Sequence, residues 1–215
     1  MRVVKHRENL GRGAARARAM EEAKHELIMC CDATNLLAED FLEKAIPWLD
    51  DRHVAAAIGT MTDPKPASIV GRWRARHLFK TQLPKAVAHG ANLALGGALL
   101  SKALANLVGG FDPSLRHSED GELGQRLLKA GLDVVFDPTL IVCSNIDNTF
   151  AQVLERYWRW YAGEDEHVSW LGYLRQISYS IKVMAIQDIR ARDLLCAPIS
   201  LFIPHYQFWK STARA

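Results

Sequence analysis

Apolar and polar positions follow two different spacings along this chain. Leu27-Ile-Met-Cys-Cys31 is apolar for five residues and stops at Asp32, the pattern of a strand covered on both faces. Between Ala38 and Leu49 the apolar residues fall at 38, 41, 42, 45, 46 and 49, a helical stripe. Val54–Ile58 reads as strand again, followed by a loop with Gly59, Pro64 and Pro66. Upstream, Arg2-Val-Val-Lys-His6 predicts a short strand, Asn9–Gly13 a turn, and Ala14–Lys24 a helix rich in Ala, Arg and Glu. Strand alternates with helix, which predicts an α/β fold with a mainly parallel sheet flanked by helices. Asp32 would then end a parallel strand, where such sheets bind ligands.

The middle of the chain predicts a helix over 68–80, a Gly-rich stretch over His89–Gly97, a short helix over Ala98–Leu107 and a turn at Gly109-Gly-Phe-Asp-Pro113. Ser118 is placed to cap a helix running to about Ala130, with Glu119, Asp120 and Glu122 in its first turn, where the helix dipole favours acids. Leu132–Phe136 and Leu140–Cys143 predict two strands. Everything after Phe150 reads as helix, with apolar positions 174, 177, 181 and 184 at helical spacing. The expected division is an α/β part over 1–148 and a helical segment over 149–215.

Composition narrows the class. In 215 residues, 49% are apolar and 24% charged, which is globular and not collagenous, coiled-coil or disordered. The longest weakly polar stretch, Leu194–Trp209, is interrupted by Pro198, Pro204 and His205 and is too short to span a bilayer. No apolar run follows the first basic residues, so no secretory signal is read and the expected location is cytoplasmic. The inner membrane face is an alternative, reached through Arg175, Lys182, Arg190 and the Trp209 end; packing into a core is the plainer reading of that segment. Cys30, Cys31, Cys143 and Cys196 form neither a disulfide framework nor a CxxC pair, and read as reduced thiols. The net charge is +3, with seven Lys/Arg against three Glu in residues 1–24, but no nucleic-acid-binding pattern accompanies it, so nucleic acid is not an expected partner.

Four segments then stand out together: Asn9-Leu-Gly-Arg-Gly-Ala-Ala-Arg16; Leu27–Leu37 with Asp32-Ala-Thr34; Gly109-Gly-Phe-Asp-Pro-Ser-Leu-Arg-His-Ser-Glu-Asp120 followed by Leu123, Arg126 and Gly131; and Arg156-Tyr-Trp-Arg-Trp-Tyr-Ala-Gly163. In order and spacing they resemble the family 2 glycosyltransferases, inverting enzymes of the GT-A fold, over about residues 2–165. The resemblance implies a nucleotide-sugar donor and a cell-surface glycan, polysaccharide or lipid-linked acceptor. Inverting transfer needs a carboxylate to take the acceptor proton and positive charge at the leaving phosphates. The resemblance puts the base at Asp120, with Glu119 beside it, and donor contacts at Asp32, Thr34, Asn92 and Arg16. Arg156, Arg159 and Trp158 would clamp the diphosphate or stack on the acceptor; an amphipathic helix that buries its aromatics is the alternative.

The sequence also departs from that family. Its D-x-D motif appears as Asp32-Ala-Thr34, and its histidine after the last core strand as Cys143. Both changes remove ligands of the Mg²⁺ or Mn²⁺ ion expected for the family, so no metal site is expected. An Arg pair after the G-x-N segment is replaced by Gly96-Gly97. The family's first strand, loop and helix, which hold the nucleotide base, have no counterpart before residue 1. The expectation is an N-terminally truncated GT-A-like domain, exposing a sheet edge, with a complementing N-terminal polypeptide as a partner. A catalytically silent GT-A-like binding or assembly protein is the alternative to an enzyme.

Overall fold

In the computed structural model, residues 3–63, 66–82, 85–161 and 168–213 are described. Contacts gather them into two compact units, Met1–Thr62 with Pro84–Asn145, and Asp63–Leu83 with Ile146–Ala215.

The first unit is built on a five-stranded sheet: β1 (Leu27–Cys31), β2 (Asn35–Leu37), β3 (Val54–Thr62), β4 (Gly97–Ser101) and β5 (Asp133–Ser144), in the order β1-β4-β3-β5-β2. Helices α1 (Arg12–Glu22), α2 (Phe41–Ala45), α4 (Lys102–Leu107) and α5 (Glu119–Lys129) accompany it, and a 3₁₀ turn at Ile46–Asp50, with Pro47 near its start, ends the α2 stripe early. The α/β class, a central sheet with flanking helices, is as expected.

Strand directions differ from the expectation. Only β3 and β5 pair in parallel; β1/β4, β3/β4 and β2/β5 are antiparallel. Because β4 runs against both neighbours, β1, β3 and β5 still point the same way, and their carboxyl ends share one end of the sheet. β1 is therefore not a doubly covered parallel strand but an edge strand among the described residues, with its ends exposed.

Other local expectations change for identifiable reasons. Residues 3–6 form no strand, and the predicted strand's Arg2 lies outside the described residues, as do Pro64 and the Ala162-Gly163 end of the aromatic segment. Gly59 lies inside β3, not in a loop. Ala98–Ser101 is strand, and the helix starts only at Lys102, where the Ser101 hydroxyl accepts the Leu104 N–H. The two strands at the end of the unit are one: the β3/β5 register steps from Ile58↔Phe136 to Thr60↔Ile141, so a bulge absorbs Pro138 without ending the strand. The Asp137 carboxylate fastens that bulge by accepting from Trp48 Nε1 at 2.9 Å and from Thr139 N at 2.8 Å. One core, including Leu95, Leu100, Phe111, Leu123 and Leu127, lies under α1 and α5; a second, around Phe41, Leu99 and Leu140, covers the opposite face.

The second unit is helical: α3 (Ile69–His77), α6 (Phe150–Tyr161), α7 (Trp170–Tyr179), a π-helical stretch (Ser180–Ala185), α8 (Ile186–Arg190) and α9 (Ala197–Thr212). Residues 63–83 belong with it, so the helical part begins with an excursion that interrupts the α/β part. Its centre is polar. Arg76 and His77 of α3 reach buried Asp188 at 2.6 and 2.7 Å, Ser200 donates to the other Asp188 oxygen at 2.6 Å, and Trp73 Nε1 donates to Ser200 at 2.8 Å. Arg72 forks onto Asp193 at 2.8 and 3.1 Å. No helix among the described residues is long and apolar enough to cross a membrane.

Candidate active site

Three elements meet at the end of the sheet where β1 finishes. The first is α1, whose start presses onto the 112–116 loop: Gly13 N donates to Leu115 O at 3.0 Å, and a Cβ on Gly13 would stand 2.6 Å from that same oxygen. Glycine at this position lets the helix approach, and Arg16 follows one turn later. The second is the Gly109-Gly110 turn, both residues at positive φ (96° and 70°), conformations that favour glycine. Arg126 of α5 ties it down: its fork holds Glu122 through two 2.6 Å bonds and also donates to Gly110 O at 2.6 Å and to Val108 O. The third is the start of α5 itself. Ser118 takes a left-handed conformation (φ 62°) and makes no side-chain cap, contrary to its expected role. A non-glycine residue held there, directly before two acids, is a local strain of the kind found at functional sites.

Arg16 joins the acids. Its guanidinium lies 2.5 Å from Glu119 Oε1, 3.7 Å from Asp120 Oδ2 and 3.6 Å from Asp32 Oδ1. Arg12, which sequence reasoning did not single out, meets the other Glu119 oxygen at 3.6 Å. Glu119 is completely buried (0%), whereas the Asp120 side chain keeps 27% of its surface and Asp32 about half. Asp120 is also aimed by the backbone: Leu95 N donates to Oδ2 at 3.4 Å and Gly121 N to Oδ1 at 3.0 Å. Asp32 is fixed through Gly96, whose carbonyl accepts both Asp32 N and, at 2.7 Å, the Asn35 side-chain amide. The pair that replaces the expected arginines thus contributes a carbonyl to the Asp32 turn.

Of the residues singled out from sequence, Arg16, Asp32, Glu119 and Asp120 come together. Thr34 lies just beyond, half-buried, with its carbonyl accepting from Asn145 N at 2.8 Å, and Cys143 pairs with Leu36 across the β2/β5 ladder. Asn92 is exposed in the loop before β4 and is not among the residues that Arg16 gathers. Arg156, Arg159 and Trp158 belong to the second unit. There Arg156 is half-buried and Arg159 exposed, but Trp158 is 1% exposed, so its ring is a core residue and cannot stack on an acceptor. Glu119, fully enclosed, is likewise corrected: it can hold Arg16 but cannot touch an acceptor hydroxyl. Burial pushes the Cys30 thiol up to about 11, which keeps this neighbour of the site protonated.

Residues 14–214 match the sequence model of glycosyl transferase family 21. The chain belongs to that family. The resemblance read from the motifs was to family 2; what the two share is glycosyl transfer, and family 21 is the membership that the match supports. No curated protein matches this family 21 chain. Among solved structures, it is similar to the mannosyltransferase PcManGT from Pyrobaculum calidifontis in complex with GDP-Man and Mn²⁺, with 15% identity and a TM-score of 0.52, covering 98% of this chain and 55% of that one. GalNAc-T7 with UDP, GalNAc and Mn²⁺ (15% identity, TM-score 0.48, covering 86% and 45%) and S. aureus TarS 1-349 (14%, 0.45, 94% and 68%) fall below the similarity on which a fold argument can rest. The family 21 chain thus spans about half the length of the mannosyltransferase it resembles.

Proposed function

We propose that this chain carries out inverting transfer of a sugar from a nucleotide-sugar to a hydroxyl of a glycan, polysaccharide or lipid-linked acceptor, with Asp120 as the base. Membership of a glycosyltransferase family gives the reaction class; the observation supporting the roles is the sharing of Arg16 by Asp32, Glu119 and Asp120. Asp120 takes the acceptor proton as the acceptor oxygen bonds to the anomeric carbon, and the bond to the nucleoside diphosphate breaks on the far side. The Leu95 N–H and Arg16 hold the carboxylate in position, and a positioned carboxylate is what a general base requires. Asp32, the most exposed of the three acids, faces donor hydroxyls. Buried Glu119 holds Arg16 in place.

The donor set does not suit a divalent cation. Thr34 offers a neutral hydroxyl where a carboxylate would be expected, and Cys143 stands in place of the expected imidazole. Hard cations prefer several oxygens including carboxylates. Charge at the leaving diphosphate then falls to arginine or lysine side chains, and activity should depend little on Mg²⁺ or Mn²⁺.

Release of nucleoside diphosphate from UDP- and GDP-sugars, measured with and without glycan and lipid acceptors, tests the proposal. Asp120→Asn should lower kcat about 10²–10⁴-fold with little change in stability; full turnover in that variant removes Asp120 from the mechanism. EDTA should leave the wild-type rate nearly unchanged. Abolition by EDTA with rescue by Mn²⁺ would show that a ligand set forms around bound donor. Absence of any diphosphate release would favour the silent binding protein instead.

A further inference from the structure

The second unit contains a cavity of about 320 Å³ that the transfer reaction does not explain. Every residue lining it belongs to that unit. Tyr157, Met184, Ile203 and Pro204 give it an apolar body, Lys80 and Arg175 stand on its lining as cations, and no acidic residue lines it among the described residues.

Both helices that frame it leave regular geometry there. The helical run through α7 opens into the π-helical stretch Ser180–Ala185, and Ser180 and Met184 of that stretch line the cavity. Single π turns widen a helix and recur at functional sites. Opposite, α9 carries Pro204 in its interior. Proline has no N–H to give the Ser200 carbonyl one turn earlier; the Ser180 hydroxyl donates to that carbonyl instead, at 2.7 Å. Lys80, which ends the α3 segment, sits in the left-handed region at φ 51°.

Two lining amides are also incompletely satisfied. Among the described residues, Gln176 Oε1 and Gln207 Nε2 are buried without a hydrogen-bond partner, and Gln207 is 2% exposed overall. Native structures hold few such groups, and water or a ligand commonly completes them. Irregular backbone, unpaired amides and two cations around an apolar hollow make a site, because packing alone would favour regular helices and a filled core.

The geometry points to a binding site for a small single-chain carboxylate, its chain against Met184, Ile203 and Pro204 and its head paired with Arg175 and Lys80. Arginine's fork matches the planar carboxylate through two parallel bonds. At the ~30 Å³ that a water molecule occupies in the liquid, the volume holds roughly ten non-hydrogen atoms, which is the size of octanoate. This inference does not rest on the assignment of Asp120 or of the donor.

Titration of the full chain with octanoate by calorimetry, with octanol as the uncharged counterpart, tests it. One equivalent should bind, with a Kd on the order of 0.1–1 mM, as expected for so few ligand atoms. Octanol should bind at least several-fold more weakly. The exposed-rim reversal Lys80→Glu with Arg175→Glu should weaken octanoate tenfold or more, and Ile203→Phe should abolish binding by filling the hollow; thermal melts check that each variant is folded. If Ile203→Phe fails to fold, the rim reversal decides. No saturable binding, equal affinity for octanol, or wild-type affinity in the folded variants would overturn the site.

Discussion

Arg16 carries the most information of any single side chain in the first unit, because among the described residues it is the one cation in contact with all three site acids. Its partner Glu119 is wholly buried, and a buried carboxylate that loses its cation keeps the desolvation cost without the compensating attraction. Arg16→Ala should therefore destabilise the protein by about 3 kcal/mol, partly offset by the more distant Arg12. Adding Glu119→Gln should recover most of the loss, since the neutral amide costs less to bury. Urea midpoints for both variants check this; an Arg16→Ala protein as stable as wild type would show that the pair contributes nothing to stability. Much of this residue-scale arrangement was legible in the sequence, since motif spacing marked Arg16, Asp32, Glu119 and Asp120. What was not legible was their division of labour: two adjacent acids look alike in a string, and only burial separates the one that holds from the one left open to a substrate.

At the scale of elements, sequence pattern succeeded where one face of an element decides its form, and failed where pairing does. The helix after Ser118 follows from the acids of its first turn, and the strand after Glu26 from its apolar run, although that strand proves to be an edge among the described residues. Ala98–Ser101 was read as helix because Ala and Leu favour helices, but all four residues are buried between β1 and β3, and sheet pairing overrides that local preference. Leu132–Phe136 and Leu140–Cys143 read as two strands, yet the bulge opposite Gly59 carries the chain through Pro138 as one. The run from α7 to α8 shows another limit. It was expected to turn its apolar residues inward, but Trp170, Leu171, Leu174, Ile181 and Ile189 are exposed, interleaved with exposed Arg175, Lys182 and Arg190, while its acid, Asp188, is buried. An outward face of apolar and cationic residues without exposed acids is the pattern that an anionic lipid surface would bind. Sedimentation with vesicles should show binding that rises with phosphatidylglycerol content and falls several-fold in Leu171→Glu with Leu174→Glu; equal binding to neutral and anionic vesicles, or none, would count against it.

For the molecule as a whole, carboxyls held below their ordinary range should make stability depend on pH. The first unit has such groups at Asp133 and Asp137, and the second is centred on Asp188 and Asp193. Hydrogen bonds from Arg72 hold the Asp193 carboxyl well below the usual range despite partial burial, and Cys196 and Arg76 add to the effect. Burial pushes Asp188 up, but His77, Ser200 and Arg76 outweigh it and its carboxyl is also lowered. None of this was legible in sequence, because Arg72, Arg76 and His77 lie more than a hundred positions from their acids and nothing local marks them as partners. A carboxyl with a lowered pKa binds fewer protons folded than unfolded. Its stabilisation is therefore complete above the unfolded value of about 4 and is lost as pH falls through that value toward the folded one. Urea unfolding at pH 7, 5 and 3 should give similar midpoints at the first two and a sharp drop at the third. The drop should be smaller in Asp193→Asn, which begins less stable at pH 7 because Arg72 and Arg76 lose their charged partner. Fluorescence from Trp73 and Trp158, both buried in the second unit, offers a local probe of the loss. If the acid transition of Asp193→Asn were as large as that of the wild type, the pH dependence would have to arise elsewhere, and the polar centre of the helical unit would be a matter of specificity and not of stability.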